Sequence, residues 1–208
     1  KKGTQVAGDP MYYQVSNIYL GISFLLNGQL DQAHEIFLEI IDFSQEFGIE
    51  AIGSVAQGCK HVISIAKGEM SQGLKLVQKT VETNIEIGRA YWVAFFEFII
   101  GKIFSQIAVR ANPMKLSTIT RNFGFLMKNV PFANKNAEIH YANAIEVAKK
   151  NGAKSILGLT YFDLGLLHKA KKRKDQAKEC ITKAIKLFEL CEADVYKEHA
   201  NEVLESLE

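Results

Sequence analysis

The chain has 208 residues, 48% of them hydrophobic and 23% charged, with a formal net charge of +2. That is enough chain to bury a substantial core, and too little net charge to imply a nucleic acid or an anionic membrane as partner. Only three prolines occur and polar stretches are short, which argues against long disordered linkers.

Glycines set the register. Gly8, Gly48 and Gly88 stand 40 residues apart, each placed to end a helix. Thirteen residues after them come Gly21, His61 and Gly101, and Ala33 and Gly73 keep the same 40-residue interval in the following helices. A period of 40 predicts stacked helix pairs, each unit burying its apolar face only against its neighbours.

Lys1 to Ala7 is read as the remnant of an upstream repeat or a linker. The chain opens without Met in mid-pattern, so it is expected to be a piece of a longer protein. Asp9-Pro10 is an N-cap followed by proline at the first helical position. Helix pairs are predicted over 11–27 and 31–47, 49–67 and 71–87, 90–109 and 133–150, and 155–171 and 175–190. Asp31 and Asp175 fall in the first turns of their helices, where a carboxylate favours the dipole.

The interval breaks once. Gly101 and Gly165 are 64 residues apart, whereas Ala137 to Gly152 keeps fifteen and Gly152 to Gly165 keeps thirteen. The extra 24 residues therefore lie between the two helices of the third pair. Within them Leu116, Ile119, Phe123, Leu126, Met127 and Val130 make one apolar helical stripe, bounded by Asn112-Pro113 and Val130-Pro131. This predicts one inserted helix docked through its stripe onto the apolar helix around Phe95, Phe96, Phe98 and Ile99, with Arg121 and Lys128 at the rim.

A last helix over 194–207 carries Val195, Ala200, Val203, Leu204 and Leu207 on one side, with Glu198, Glu202 and Glu205 mostly away from it, as a terminal cap requires. The organisation is one repeat domain over 1–208. Its repeats are 9–48, 49–88, 89–152 with an insertion over 109–132, and 153–192, closed by a cap over 193–208.

Chemistry-bearing patterns are few. No phosphate-binding glycine loop or nucleophile elbow occurs. Cys59 and His61 are two residues apart and diverge on a helix, and no two histidines lie at i,i+4. The chain is read without catalytic residues, cofactor or metal. Glu35 and Glu39 read as a solvated pair. Lys169, Lys171, Lys172, Arg173 and Lys174 read as a solvated basic turn, since no aromatic side chain interleaves with them to stack on bases. Cys59, Cys180 and Cys191 read as reduced thiols of a cytoplasmic protein. Glu97 and Lys102 interrupt the apolar run Ala90 to Val109 and argue against a membrane span.

Leu164-Gly165, Ala177, Ile181 and Ala184 resemble the tetratricopeptide pattern, Leu-Gly in the first helix and Ala, a large apolar residue and Ala in the second. The resemblance implies an all-α, right-handed α-α superhelix. Its first helices would line a concave surface, here with Val15, Ile18, Ile22 and Leu25 from one unit and Phe95, Phe98, Lys102 and Ser105 from another. These are mostly apolar, unlike the Lys and Asn of a carboxylate clamp. The candidate partner-contacting residues are Phe95, Phe98, Lys102, Arg121 and Lys128.

The segment Asn122 to Ala133, with Gly152-Ala153-Lys154, Leu164 to Leu167 and Cys191 to Tyr196, is more specific. It resembles the C-terminal tetratricopeptide region of bacterial signalling proteins that combine class III adenylate/guanylate cyclase domains with a large AAA-type ATPase. No cyclase aspartates or ATPase phosphate loop stand in this chain. The resemblance therefore implies a non-catalytic sensory or scaffolding arm, bound to a protein or peptide partner or to upstream domains of the same protein. The alternative is a peptide-sensing repeat domain of a regulator, for which Asn17 is the one inner-row asparagine. Exposed Met11, Tyr12, Val15, Ile18 and Tyr19 are expected to favour a homodimer.

Overall fold

A computed structural model describes residues 9–109 and 116–207. The described residues contain helices and turns and no strand. The repeat helices are α1 (Pro10–Leu26), α2 (Leu30–Phe47), α3 (Glu50–Ala66), α4 (Met70–Glu86), α5 (Ala90–Val109), α8 (Ala133–Lys150), α9 (Lys154–Ala170) and α10 (Lys174–Leu190). Between α5 and α8 lie two short helices, α6 (Leu116–Arg121) and α7 (Phe123–Asn129), and a 3-10 turn, Val130–Phe132. Helix α11 (Asp194–Glu205) closes the chain.

The start of α1 follows from Asp9, whose Oδ1 accepts from the Met11 amide at 2.9 Å with Pro10 leading the first turn. The ends follow from a single backbone device. Residues with left-handed φ are Gly28, Gly48, Gly68 and Gly88, then Gly152, Lys172 and Glu192, each run spaced by 20. The unit of construction is thus a half-repeat, one helix and one reversal. Lys172, at the place where a turn glycine is usual, adopts φ +58° all the same. It does so within a turn fixed by the Arg173 amide donating to the His168 carbonyl at 2.9 Å.

The chain forms two compact units, Lys1–Thr80 and Val81–Glu208, with α4 running through the division. In the first unit α1 packs on α2, α2 on α3, and α3 on α1. In the second, α5 packs on α8, α8 on α9, α9 on both α5 and α10, and α10 on α11. Within the second unit, α5 finds its partner α8 across the inserted segment.

Two rows of residues make these pairs, and both follow the 40-residue register. The first is a row of knobs. Phe37, Val77, Tyr141 and Ile181 are all 0% exposed. A Cβ on Gly21 would lie 2.8 Å from the Phe37 ring, one on Gly101 2.6 Å from Tyr141, and one on Gly165 2.6 Å from Ile181. Glycine is needed there because the knob occupies the space a side chain would take. The second pair inverts the arrangement. His61 stands in the glycine position, and the neighbouring helix carries Gly73, where a Cβ would sit 3.1 Å from the His61 carbonyl oxygen.

The second row is polar. Asn17 Nδ2 donates to Glu39 Oε1 at 3.3 Å. At the same register Asn143 Nδ2 donates to Glu97 Oε2 at 3.3 Å, with the amide and the carboxylate exchanged between the helices. In the last pair these positions hold Tyr161 and Lys183, whose ammonium lies 5.3 Å from the ring centroid. One geometric slot is therefore bridged in three pairs by two chemistries, an amide–carboxylate hydrogen bond in either orientation and a cation over an aromatic ring.

The insertion departs from its expected form. The stripe does not run along one helix, because the chain breaks at Asn122, whose side-chain amide and backbone amide both donate to the Thr118 carbonyl, at 2.9 and 3.1 Å. Nor is the stripe docked. Leu126 is buried, but Phe123 is 60% and Met127 63% exposed, and Ile119 and Val130 are also exposed. The expected stop at Val130-Pro131 is present as the 3-10 turn, while the expected start at Asn112-Pro113 lies outside the described residues. In α11, Ala200 and Val203 are buried, as is Leu207 just beyond its end, whereas Val195, assigned to the same face from sequence, is exposed.

Candidate interaction surface

Helix α5 supplies most of the groups singled out from sequence. It is 20 residues long with hydropathy 1.6, long and apolar enough to cross a membrane, yet 67% of that window is buried inside the molecule. Phe95, Phe96, Phe98 and Ile99 are all buried. Phe95 meets Phe96 edge-on at 5.2 Å, and Phe98 lies against Tyr141 at 6.5 Å. Phe95 and Phe98, expected to face a partner, are therefore core residues. Phe98 is covered by Tyr141 of α8, while the ring of Phe95 meets Trp92 and Phe96 of its own helix.

The two charges of α5 are spent on neighbouring helices. His140 Nδ1 on α8 donates to Glu97 Oε2 at 2.7 Å, and the Phe104 ring stacks on the imidazole at 5.7 Å with an 8° interplanar angle. With Asn143 on the same oxygen, the Glu97 carboxylate is held by two donors. One turn on, Lys102 Nζ donates to Asp163 Oδ2 of α9 at 2.6 Å and lies 5.7 Å from the Phe98 ring. Asp163 is nearly enclosed and the lysine side chain is 38% exposed, so this bridge ties two first helices of adjacent pairs at the edge of the surface. Lys102 thus reaches the surface, but as a neutralised cation.

Arg121 and Lys128 are both exposed. Among the described residues neither makes an ion pair, and Lys102 is paired with Asp163 instead. The five predicted positions therefore divide into two buried rings, one bridged lysine and two solvent-facing cations of the insertion. Sequence reasoning missed Asp163, His140 and Asn143. A signal for Glu97 was available, since Asn17, Gln57 and Glu97 are polar residues exactly one repeat apart in otherwise apolar helices. Asn17 itself is 1% exposed, bonded to Gln14 and Glu39, so it does not present its amide to a peptide.

The basic turn is held by partners of its own. Lys171 Nζ donates to the Ala108 carbonyl near the end of α5 at 3.1 Å, as a cation at a helix C-terminus should. Arg173 pairs with Glu138 at 2.6 Å and approaches His168 Nδ1 at 3.4 Å. Burial, with Arg173 beside it, lowers the His168 pKa. Lys169 donates to Ser206, and with Lys172, Lys174, Ser206 and Leu207 it lines an open cavity of about 320 Å³.

Among the described residues no three His, Cys, Asp or Glu side chains converge as metal ligands. Burial pushes the Cys59 thiol far up, and Cys180 up as well, so neither is poised as a thiolate. Burial also holds the Tyr141 phenol well above its ordinary value. Comparison with protein-family models and with curated proteins returns no match.

Proposed function

We propose that the chain is a non-catalytic interaction module, a tetratricopeptide-like right-handed superhelix serving as the regulatory arm of a larger cytoplasmic signalling protein. Its partner is a protein or peptide, or upstream domains of the same protein. The observation that supports this reading is where the ionisable groups go. Glu97 with His140 and Lys102 with Asp163 bridge one helix to another, and Arg173 with Glu138 ties the α9–α10 turn to α8. Side chains committed in this way keep helices in register and are withdrawn from chemistry. What remains at the edge of the first helices of the second unit is a half-buried row, Lys102 and Ser105 on α5 and Leu159 and Leu166 on α9, mixed enough in character to meet a folded partner.

Photo-crosslinking tests this. A benzophenone amino acid at Ser105 or Leu166 should yield a discrete protein adduct in cells, whereas one at Lys186 on α10 should not. Adducts of equal yield from all three positions, or none, would contradict an interaction face on the first helices.

A further inference from the structure

The inserted segment combines two features that the whole-chain averages conceal. Residues 109–132 contain Arg110, Lys115, Arg121 and Lys128 and no acidic residue, against a whole-chain charge of +2, so the rest of the chain is net negative. Indeed no Asp or Glu occurs anywhere between Glu97 and Glu138. The same segment presents the largest side chains of its stripe to solvent. On α7, Leu126 faces inward while Phe123, Gly124, Met127 and Lys128 face outward, and Phe132 follows with 57% of its surface exposed.

We propose that α6, α7 and the following 3-10 turn form a docking surface for an anionic phospholipid bilayer, entered by Phe123, Met127 and Phe132 and held at the headgroups by Arg121 and Lys128. Three observations favour a bilayer over an acidic protein. Peptide recognition by helical proteins uses a groove that swallows anchor side chains. Here the apolar side chains of Ile119, Phe123, Met127 and Phe132 stand out, and among the side chains described between Ser117 and Phe132 only Asn122 and Leu126 are buried. Second, Phe123 and Met127 lie next to one another on the exposed side of α7, with Lys128 at its edge and Arg121 at the end of α6, so that apolar side chains flanked by cations face outward together. Third, the local charge is of one sign only, which attracts an anionic surface without requiring matched partners. The proposal is independent of the protein partner at the first helices.

The test uses the full chain and sedimentable vesicles, one set of phosphatidylcholine alone and one with about a third phosphatidylserine. Binding is expected to the second set only, and to weaken as salt is raised. The double variant Phe123→Ser, Met127→Ser should reduce partitioning by about tenfold or more. Arg121→Gln with Lys128→Gln should reduce it several-fold, and both should keep the parent's thermal melt. Failure to bind anionic vesicles, or binding unchanged by the serine pair, would overturn the proposal. So would self-association, or binding of an acidic amphipathic peptide, that the serine pair abolishes while vesicles remain unbound.

Discussion

Two apolar rows in this molecule look alike in sequence and end in opposite environments. Phe37, Val77, Tyr141 and Ile181 recur by the repeat register and are wholly enclosed, while Ile119, Phe123, Met127 and Val130 recur by the helix period and face solvent. The first row has a cavity prepared for it. Sixteen residues before Phe37 and Ile181, and forty before Tyr141, stands a glycine whose missing side chain leaves the space. The second row has no such partner in the register. Helical periodicity identifies which face is apolar, and only a complementary small residue elsewhere says that the chain itself will cover that face.

The comparison breaks most visibly at Tyr141. Tyr141→Ala removes the knob from the Gly101 site and should cost on the order of 3–5 kcal/mol in urea unfolding. A loss under about 1 kcal/mol would mean that the row is not the packing element described.

A smaller effect sharpens the role of the bridges. His168 is 7% exposed and its pKa is lowered by burial first and Arg173 second. The folded state therefore favours the neutral ring, and the unfolded state binds the proton more readily. The stability contribution is present above about pH 6.5, the ordinary histidine value, and is lost as pH falls through the lower folded value. His168→Gln should flatten part of the stability loss between pH 7.5 and 5.5, followed by urea midpoints. His61, lowered by burial and Lys60, acts in the same sense and leaves a residual slope. An unchanged slope in the variant would show that His168 is not held neutral by its site.

Much of the architecture was legible because glycine and alanine positions encode backbone approach directly. The 40-residue interval located all eight repeat helices to within a residue or two, and its single break placed the unpaired stretch between α5 and α8. What was not legible was the fate of polar and apolar surplus. Phe95 and Phe98 were assigned to a groove by analogy of position, but α5 is longer and more apolar than its counterparts and is covered by α8 and α9. Asp163 and His140 are separated from Lys102 and Glu97 by 61 and 43 residues, and no local pattern joins them. The insertion's charge asymmetry was present in the sequence but averaged away at the level of the whole chain.

The central claim is that the insertion is appended to a self-sufficient repeat stack and contributes surface rather than stability. The register specifies how to remove it. Deleting residues 109–132 joins Ala108, which falls 80 residues after Gly28, to Ala133, which takes the place of Gln29. Adding Ala108→Gly supplies the left-handed turn position that Gly28 holds at φ +75°. Thermal unfolding of this variant, followed by circular dichroism at 222 nm, measures the claim directly. The account predicts one cooperative transition within about 5 °C of the parent. A variant that has lost its helical signal, or that melts more than about 15 °C lower, would show that the inserted residues are part of the core.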